Sequence, residues 1–268
     1  MLKDITLGQY FPGNSVLHRM DPRFKIICTM LFIVMLFAGN SLWTLLIGAV
    51  FVVMTQLLSK IPLKMSWKSI RPILPILAFT AVLNLLFIGD DNVLWEWKFL
   101  KITMGGVHTS IFMIVRIVLL IVGSSLLTYT TSPILLTDAI ESLMNPLKKI
   151  RFPVHEMAMM MSIALRFIPT LIEETDKIMS AQKARGASLD SGSLMSRVRA
   201  LIPILIPLFV SAFRRAEELA TAMECRCYRG GEGRTRLRQL RAESRDYTAF
   251  GICLLFLAAS VTMNVLFK

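Results

Sequence analysis

Long uncharged runs separated by short charged stretches dominate the chain. Ile26 to Leu58 is apolar and uncharged for 33 positions. One helix needs only about 17–25 mainly apolar residues to cross a hydrocarbon core roughly 30 Å thick. Gly39-Asn40-Ser41 breaks the run, so the pattern predicts a helical hairpin, about 24–39 and 41–58. The first half is short, and Lys25 is expected to snorkel at its end. A third span is expected from about Pro72 to Ile88, a fourth from about Val107 to Tyr129, and a last one over Tyr247–Phe267.

Loop charge sets the expected orientation, because Lys and Arg accumulate in cytoplasmic loops. Lys3, Arg19, Arg23 and Lys25 precede span one, and Lys60, Lys64, Lys68 and Arg71 follow span two with no acid among them. Asp90, Asp91 and Glu96, beside Trp95 and Trp97, follow span three and read as an outer interface. The expectation is five spans with the N-terminus in the cytoplasm. Residues 1–131 then form a membrane domain of four spans, 132–246 a cytoplasmic module, and 247–268 the last span. The module holds 18 of the 30 basic residues and 13 of the 18 acids.

Within 132–246 the pattern changes to long helices. Ser132-Pro133 reads as an N-cap with proline at the first helical position, and Asn145-Pro146 interrupts that helix. A second helix is expected from about Pro153 to Arg185, kinked at Pro169 and closed by Gly186. A third is expected from about Ser193 to Tyr228, with Pro203 and Pro207 in its first half and Gly230-Gly231 at its end. Met157–Ile172 and Leu201–Phe213 are largely apolar, and such patches bury against a partner or a membrane face.

The two helix ends repeat one another. Ala181-x-x-x-Arg185-Gly186 recurs 41 residues later as Ala222-x-x-x-Arg226-Cys227. A cation at a helix C-terminus gains about 0.3–1 kcal/mol from the macrodipole and needs no partner. Two equivalent arginines, each between small residues (Ala184 and Gly186; Cys225 and Cys227), point further, to paired docking sites. A receiving groove could approach each guanidinium closely and hold it with a carboxylate.

Composition agrees with a membrane protein. Of 268 residues 54% are hydrophobic, only 18% are charged, and the net charge is +12. Soluble domains carry about a quarter charged residues, so nucleic-acid binding would explain the charge but not the hydropathy. Cys28, Cys225, Cys227 and Cys253 are too scattered for a disulfide framework. With His18, His108 and His155 far apart, no metal site, cofactor or catalytic set is expected. The N-terminus shows no cleavable signal peptide. Gly230-Gly231-Glu232-Gly233-Arg234-Thr235 lacks the lysine and preceding strand of a P-loop. Arg116, inside span four, has no obvious acidic partner and reads as a packing residue rather than a transport relay.

The chain resembles the transmembrane T component of energy-coupling factor (ECF) transporters over nearly its whole length. The resemblance is carried by Ser15-Val16-Leu17-His18-Arg19-Met20-Asp21-Pro22-Arg23-Phe24-Lys25, by Leu127-Thr128-Tyr129-Thr130-Thr131-Ser132-Pro133 and by Ala164-Leu165-Arg166-Phe167-Ile168-Pro169-Thr170-Leu171. Ala181–Gly186 and Arg214–Tyr228 complete it. The resemblance implies an all-α integral membrane protein whose long coupling helices end in Ala-Arg-Gly-like signatures. It implies a non-catalytic scaffold in a prokaryotic cell membrane. Its partners would be two ABC-type ATPases and a substrate-binding S component for vitamin or transition-metal uptake. Carried over by motif, Ala184, Arg185, Gly186, Cys225, Arg226 and Cys227 would dock the ATPases. The second signature departs from the pattern, reading Cys-Arg-Cys. The competing reading is a membrane-embedded enzyme acting on anionic lipid through Arg226, Arg229, Arg234, Arg236, Arg238 and Arg241.

Overall fold

The computed structural model describes residues 10–39, 41–87, 93–97, 100–150, 152–187, 194–230 and 240–266. They fall into two compact units, one built from Gln9–Leu136 with Leu240–Lys268 and one from Thr137–Gln239.

The first unit is a helical bundle. A short helix α1 (Val16–Arg19) leads into α2 (Pro22–Ala38) and α3 (Leu42–Ser59). Next come α4 (Leu63–Ile70), a 3-10 turn over Arg71–Ile73, and α5 (Leu74–Phe87). A hairpin of β1 (Val93–Trp97) and β2 (Leu100–Thr103), antiparallel with Trp97 opposite Leu100, precedes α6 (Met104–Thr130). The chain returns as α10 (Ser244–Leu266). Among the described residues four helical stretches are long and apolar enough to cross a membrane: Leu42–Ser59, Leu63–Phe87, Met104–Thr130 and Ser244–Leu266. With 17 residues, α2 sits at the lower limit for a span.

Two sequence expectations need correction. The basic stretch before the third span is helix α4 rather than a loop. Its buried Ser66 hydroxyl donates to Gln56 Oε1 (3.2 Å) and Ile70 is also buried, while Lys64 and Lys68 point outward. The 3-10 turn at Arg71-Pro72-Ile73 then carries the chain into α5 without a break, because Pro72 lies in its first turn. Lys25 does not snorkel. It is only 6% exposed, and its ammonium donates to Thr130 O (3.0 Å) and Thr131 Oγ1 (3.1 Å).

The core lies where α2, α3, α6 and α10 meet. Phe32, Met35, Leu36, Leu45, Val52, Phe112 and Leu119 are buried there, with Phe51 and Phe256 packed against them. Phe32 stacks on Phe51 with ring centroids 5.3 Å apart, and Phe51 meets Phe256 edge-on at 5.4 Å. Such close approach depends on Gly123, where a Cβ would lie 2.3 Å from Phe32 Cε1. Gly123→Val is therefore expected to cost about 1–3 kcal/mol, the usual penalty for overpacking. Thermal unfolding of the purified protein would show it. An unchanged midpoint would mean that α2 and α6 are free to separate.

Arg116 belongs to this packing. Its Nη2 donates to Gly39 O at 2.7 Å, at the C-terminus of α2, and its guanidinium lies 4.5 Å from the Phe112 ring centroid. A cation at that helix end meets the negative pole of the dipole and the face of an aromatic ring.

Helix α7 (Pro133–Met144), which runs from the first unit into the second at Thr137, is capped by Ser132, whose Oγ accepts from Leu135 N at 3.5 Å. The interruption at Asn145-Pro146 becomes a 3-10 stretch, Asn145–Ile150. His155 Nδ1 and Glu141 Oε1, 3.1 Å apart, join α7 to the next helix. That helix is α8 (Val154–Ala184), followed by α9 (Leu194–Cys225). Both stay helical through their internal prolines. Most of their apolar side chains remain uncovered, including Met160, Met161, Leu201, Ile206, Phe209 and Phe213, while Val154, Ala158 and Ile204 are buried.

Candidate functional site

The two helix ends that repeat in sequence also repeat in geometry. At the end of α8, Arg185 is the C-cap, Gly186 N donates to Lys183 O (3.0 Å) and Ala187 N to Gln182 O (3.0 Å). At the end of α9, Cys227 N donates to Glu224 O (2.8 Å) and Tyr228 N to Met223 O (3.0 Å). Both are Schellman motifs, in which the residue after the cap takes a left-handed conformation. Gly186 does so at φ 86° and Cys227 at φ 58°. Cys227 thus adopts the backbone conformation that glycine supplies at the first end, so Cys-Arg-Cys preserves the cap. Arg185 and Arg226 occupy the same position in the motif, and Ala184, Arg185, Gly186, Cys225, Arg226 and Cys227 are all exposed. Neither arginine bonds a described residue through its side chain, since backbone groups alone make the caps.

Two cross-links fix how α8 and α9 run. Arg215 Nη2 donates to Glu174 Oε2 at 2.5 Å, and Gln182 Nε2 donates to Pro203 O at 3.3 Å. Going forward along α8 means going backward along α9, so the helices are antiparallel. The second bond also has a local cause. The Pro203 carbonyl would normally accept from the residue four positions on, but that residue is Pro207 and has no N–H. Gln182 takes the vacant place. Glu174 and Arg215 are themselves 41 residues apart, the spacing of the repeat, so the ion pair joins equivalent positions. Equivalent positions meet where two elements are related by an approximate twofold. Arg185 lies 11 residues beyond Glu174, and Arg226 lies 11 beyond Arg215. At about 1.5 Å per residue, each arginine is about 16 Å along its helix from the shared pair, in opposite directions.

The motifs near residues 15–25 and 127–133 meet in the membrane bundle. Ser15 caps α1, and its hydroxyl lies 2.6 Å from His18 Nδ1, while His18 Nε2 lies 2.9 Å from Phe11 O. A carbonyl can only accept, so Nε2 donates to Phe11 O. Asp21 caps α2 by accepting from Arg23 N (2.9 Å), and the Arg23 Nη2 atom donates back to Asp21 Oδ2 (2.8 Å) and to Leu240 O (3.1 Å). Burial works to raise the Asp21 carboxyl, but the hydrogen bonds and charge of Arg23 outweigh it and hold the group below the usual aspartate range. Lys25, from the same motif, caps the end of α6 at Thr130 and Thr131. The two motifs are therefore two halves of one junction.

Its third member is Asp246, which sequence reading did not single out. It is 2% exposed and accepts from Asp21 N (2.9 Å) and from Glu243 N (2.8 Å). The signal was present but local. An acid at the third position of a helix, reaching back to the cap N–H, is half of a capping box, whereas the uncharged run begins only at Tyr247. Of the arginines in the alternative lipid-enzyme reading, Arg234, Arg236 and Arg238 lie outside the described residues. Among the described residues no group of three His, Cys, Asp or Glu is placed to hold a metal ion.

The family model described as "CbiQ: Cobalt transport protein" matches residues 13–237. Curated relatives named "Energy-coupling factor transporter transmembrane protein EcfT" match nine-tenths or more of the chain. One from Ruminiclostridium cellulolyticum is 53% identical over 267 residues, covering 100% of both chains. One from Acidaminococcus fermentans is 55% identical, covering 90% of this chain and 89% of its own. One from Bacillus subtilis is 47% identical, covering 97% of both. The chain belongs to the EcfT family. As an EcfT-family protein it is the T component of an ECF transporter, a non-catalytic transmembrane subunit in a bacterial membrane. This membership sets aside the lipid-enzyme reading. The Asp21–Lys25 and Tyr129–Thr131 motifs share one hydrogen-bonded junction. They tie the start of α2 to the end of α6 and, through Asp246, to the start of α10.

Proposed function

We propose that this T component is the scaffold and coupling subunit that links ATP hydrolysis by two partner ATPases to movement of a substrate-binding S component in vitamin or transition-metal uptake. One observation carries the reading: two exposed arginines occupy equivalent positions in equivalent caps, on helices related through the Glu174–Arg215 pair. A matched pair of ends suits a matched pair of partners. Ala184, Arg185 and Gly186 dock one ATPase, and Cys225, Arg226 and Cys227 the other. The small neighbours leave each guanidinium open to a carboxylate. Residues 132–246 form the cytoplasmic module in this reading, residues 1–131 and 247–268 lie in the membrane, and the N-terminus is cytoplasmic. The uncovered apolar faces of α8 and α9 receive the S component.

Affinity purification through this chain from its native membrane tests the assembly. Two ABC-type ATPases and at least one small membrane protein are expected to co-purify, and the chain expressed alone is expected to aggregate or be degraded. A monodisperse, transport-active preparation of this chain alone overturns the reading.

Orientation is tested separately. A cysteine introduced at Asn92, which lies outside the described residues, should react with an impermeant thiol reagent added to intact cells. One introduced at Gly231, also outside the described residues, should not. The opposite labelling pattern reverses the topology.

A further inference from the structure

The membrane bundle contains a cavity of about 230 Å³ among α1, α2, α3, α6 and α10. Phe32, Phe51, Met54, Leu126 and Ile252 form apolar walls. Threonines in the lining add no free hydroxyl: Thr29 donates to Lys25 O (2.8 Å), Thr55 to Phe51 O (2.9 Å) and Thr248 to Arg245 O (2.8 Å). A polar solute would find few partners there, whereas a hydrocarbon chain would find a matching surface.

The charged lining is of one sign. Lys25 and Arg245 border the cavity, and no carboxylate is among its described lining residues. Lys25 donates to two neutral oxygens, Thr130 O and Thr131 Oγ1, and forms no ion pair with a described residue. An ammonium has three N–H groups, so one donor is left over. The nearby carboxylates direct their hydrogen bonds elsewhere, Asp21 to Arg23 and Asp246 to two backbone N–H groups, and act on Lys25 through charge alone. Arg245 pairs with Glu243, but their side chains are 51% and 58% exposed. Such a pair holds weakly and gives way to a better anion.

We propose that this cavity binds one anionic phospholipid, with an acyl chain between Phe32, Phe51 and Ile252 and the phosphate held by Arg245 and Lys25. Cations at one end and an apolar interior match the two ends of such a lipid. Basic pockets between membrane helices are the usual setting for anionic headgroups. The guanidinium fork of Arg245 takes two phosphate oxygens at once.

The test is lipid retention, measured by native mass spectrometry on the assembly purified through this chain in mild detergent. Wild type is expected to keep one phosphatidylglycerol-class lipid per chain, and to keep phosphatidylcholine at least about fivefold less when both are offered equally. Arg245→Gln should lower phosphatidylglycerol retention about fivefold, and Ala249→Phe, which fills the cavity, should reduce it to background. Arg241→Gln, outside the lining, should leave it unchanged. Equal retention of the two lipids, or wild-type retention by Arg245→Gln, overturns the proposal, even if Ala249→Phe fails to assemble. So does an assembly free of bound lipid, which would mean that a partner's side chains fill the cavity. Inorganic phosphate should not displace the lipid, and displacement would show that no acyl chain is held.

Discussion

Replacing Arg185 and Arg226 together by alanine is expected to release the ATPases from the membrane subunit while leaving the subunit folded. The magnitudes separate the two roles an arginine can have at a helix end. As a dipole partner each contributes about 0.3–1 kcal/mol, and the Schellman bonds that close both helices are made by backbone groups that alanine retains. As one half of a desolvated charge pair in a groove, each would cost on the order of 2–5 kcal/mol when truncated, largely through the carboxylate left alone. A loss of 2–5 kcal/mol is roughly 30-fold or more in affinity, so either single change should already weaken co-purification of an ATPase, and the double change should abolish it. Lysine should rescue only in part, because an ammonium lacks the forked geometry. Arg241→Ala, an exposed arginine outside both cap motifs, is the control and should behave as wild type. ATPase co-purification at fixed salt measures all of these. If the double variant keeps its ATPases, the arginines are caps and nothing more.

The second large effect is expected at Asp246. Its two carboxylate oxygens accept from Asp21 N and Glu243 N, and its residue surface is 2% exposed. Asp246→Ala strands the buried Asp21 N–H at a cost of about 1–3 kcal/mol and leaves the part-buried Glu243 N–H to water. The bond to Asp21 N spans 225 residues of sequence and ties the start of α10 to the start of α2. Its loss should loosen α10 from α2 as well as lower the thermal midpoint. Asp246→Asn keeps one acceptor oxygen and should fall between alanine and wild type. Glu243→Gln breaks only an exposed pair with Arg245 and should be nearly neutral. Thermal unfolding of the purified assembly, with membrane expression level as a second measure, distinguishes these outcomes. A wild-type midpoint for Asp246→Ala would show that the junction contributes no stability.

Short-range features are legible in the residues alone. Length and hydrophobicity place α3, α6 and α10 within about three residues, because an apolar run long enough to cross a bilayer has few other uses. Caps are legible because they are local: Ser132-Pro133 at the start of α7, Gly186 after α8 and the matching arginines at the two helix ends depend on contacts spanning five residues or fewer. The internal repeat of 41 residues also needs only the chain. The basic stretch at 60–71 reads as a loop because its four cations outweigh the helical pattern in Leu63–Ile70, half of which is polar.

Partners distant in sequence are decided only by tertiary structure. Position at the end of a run assigns Lys25 to the membrane surface, yet it caps α6 through Thr130 and Thr131, about a hundred residues away. Asp246 gives no periodic signal, since a single acid has no period. Likewise, the repeat establishes that the two helix ends are equivalent, but their opposite directions follow from the Glu174–Arg215 and Gln182–Pro203 bonds. The hydrophobic pattern determines which segments leave water, because transfer free energy depends on each residue's own surface. A buried polar group must find a partner wherever the folded chain supplies one, and only the packed structure determines which residue that is.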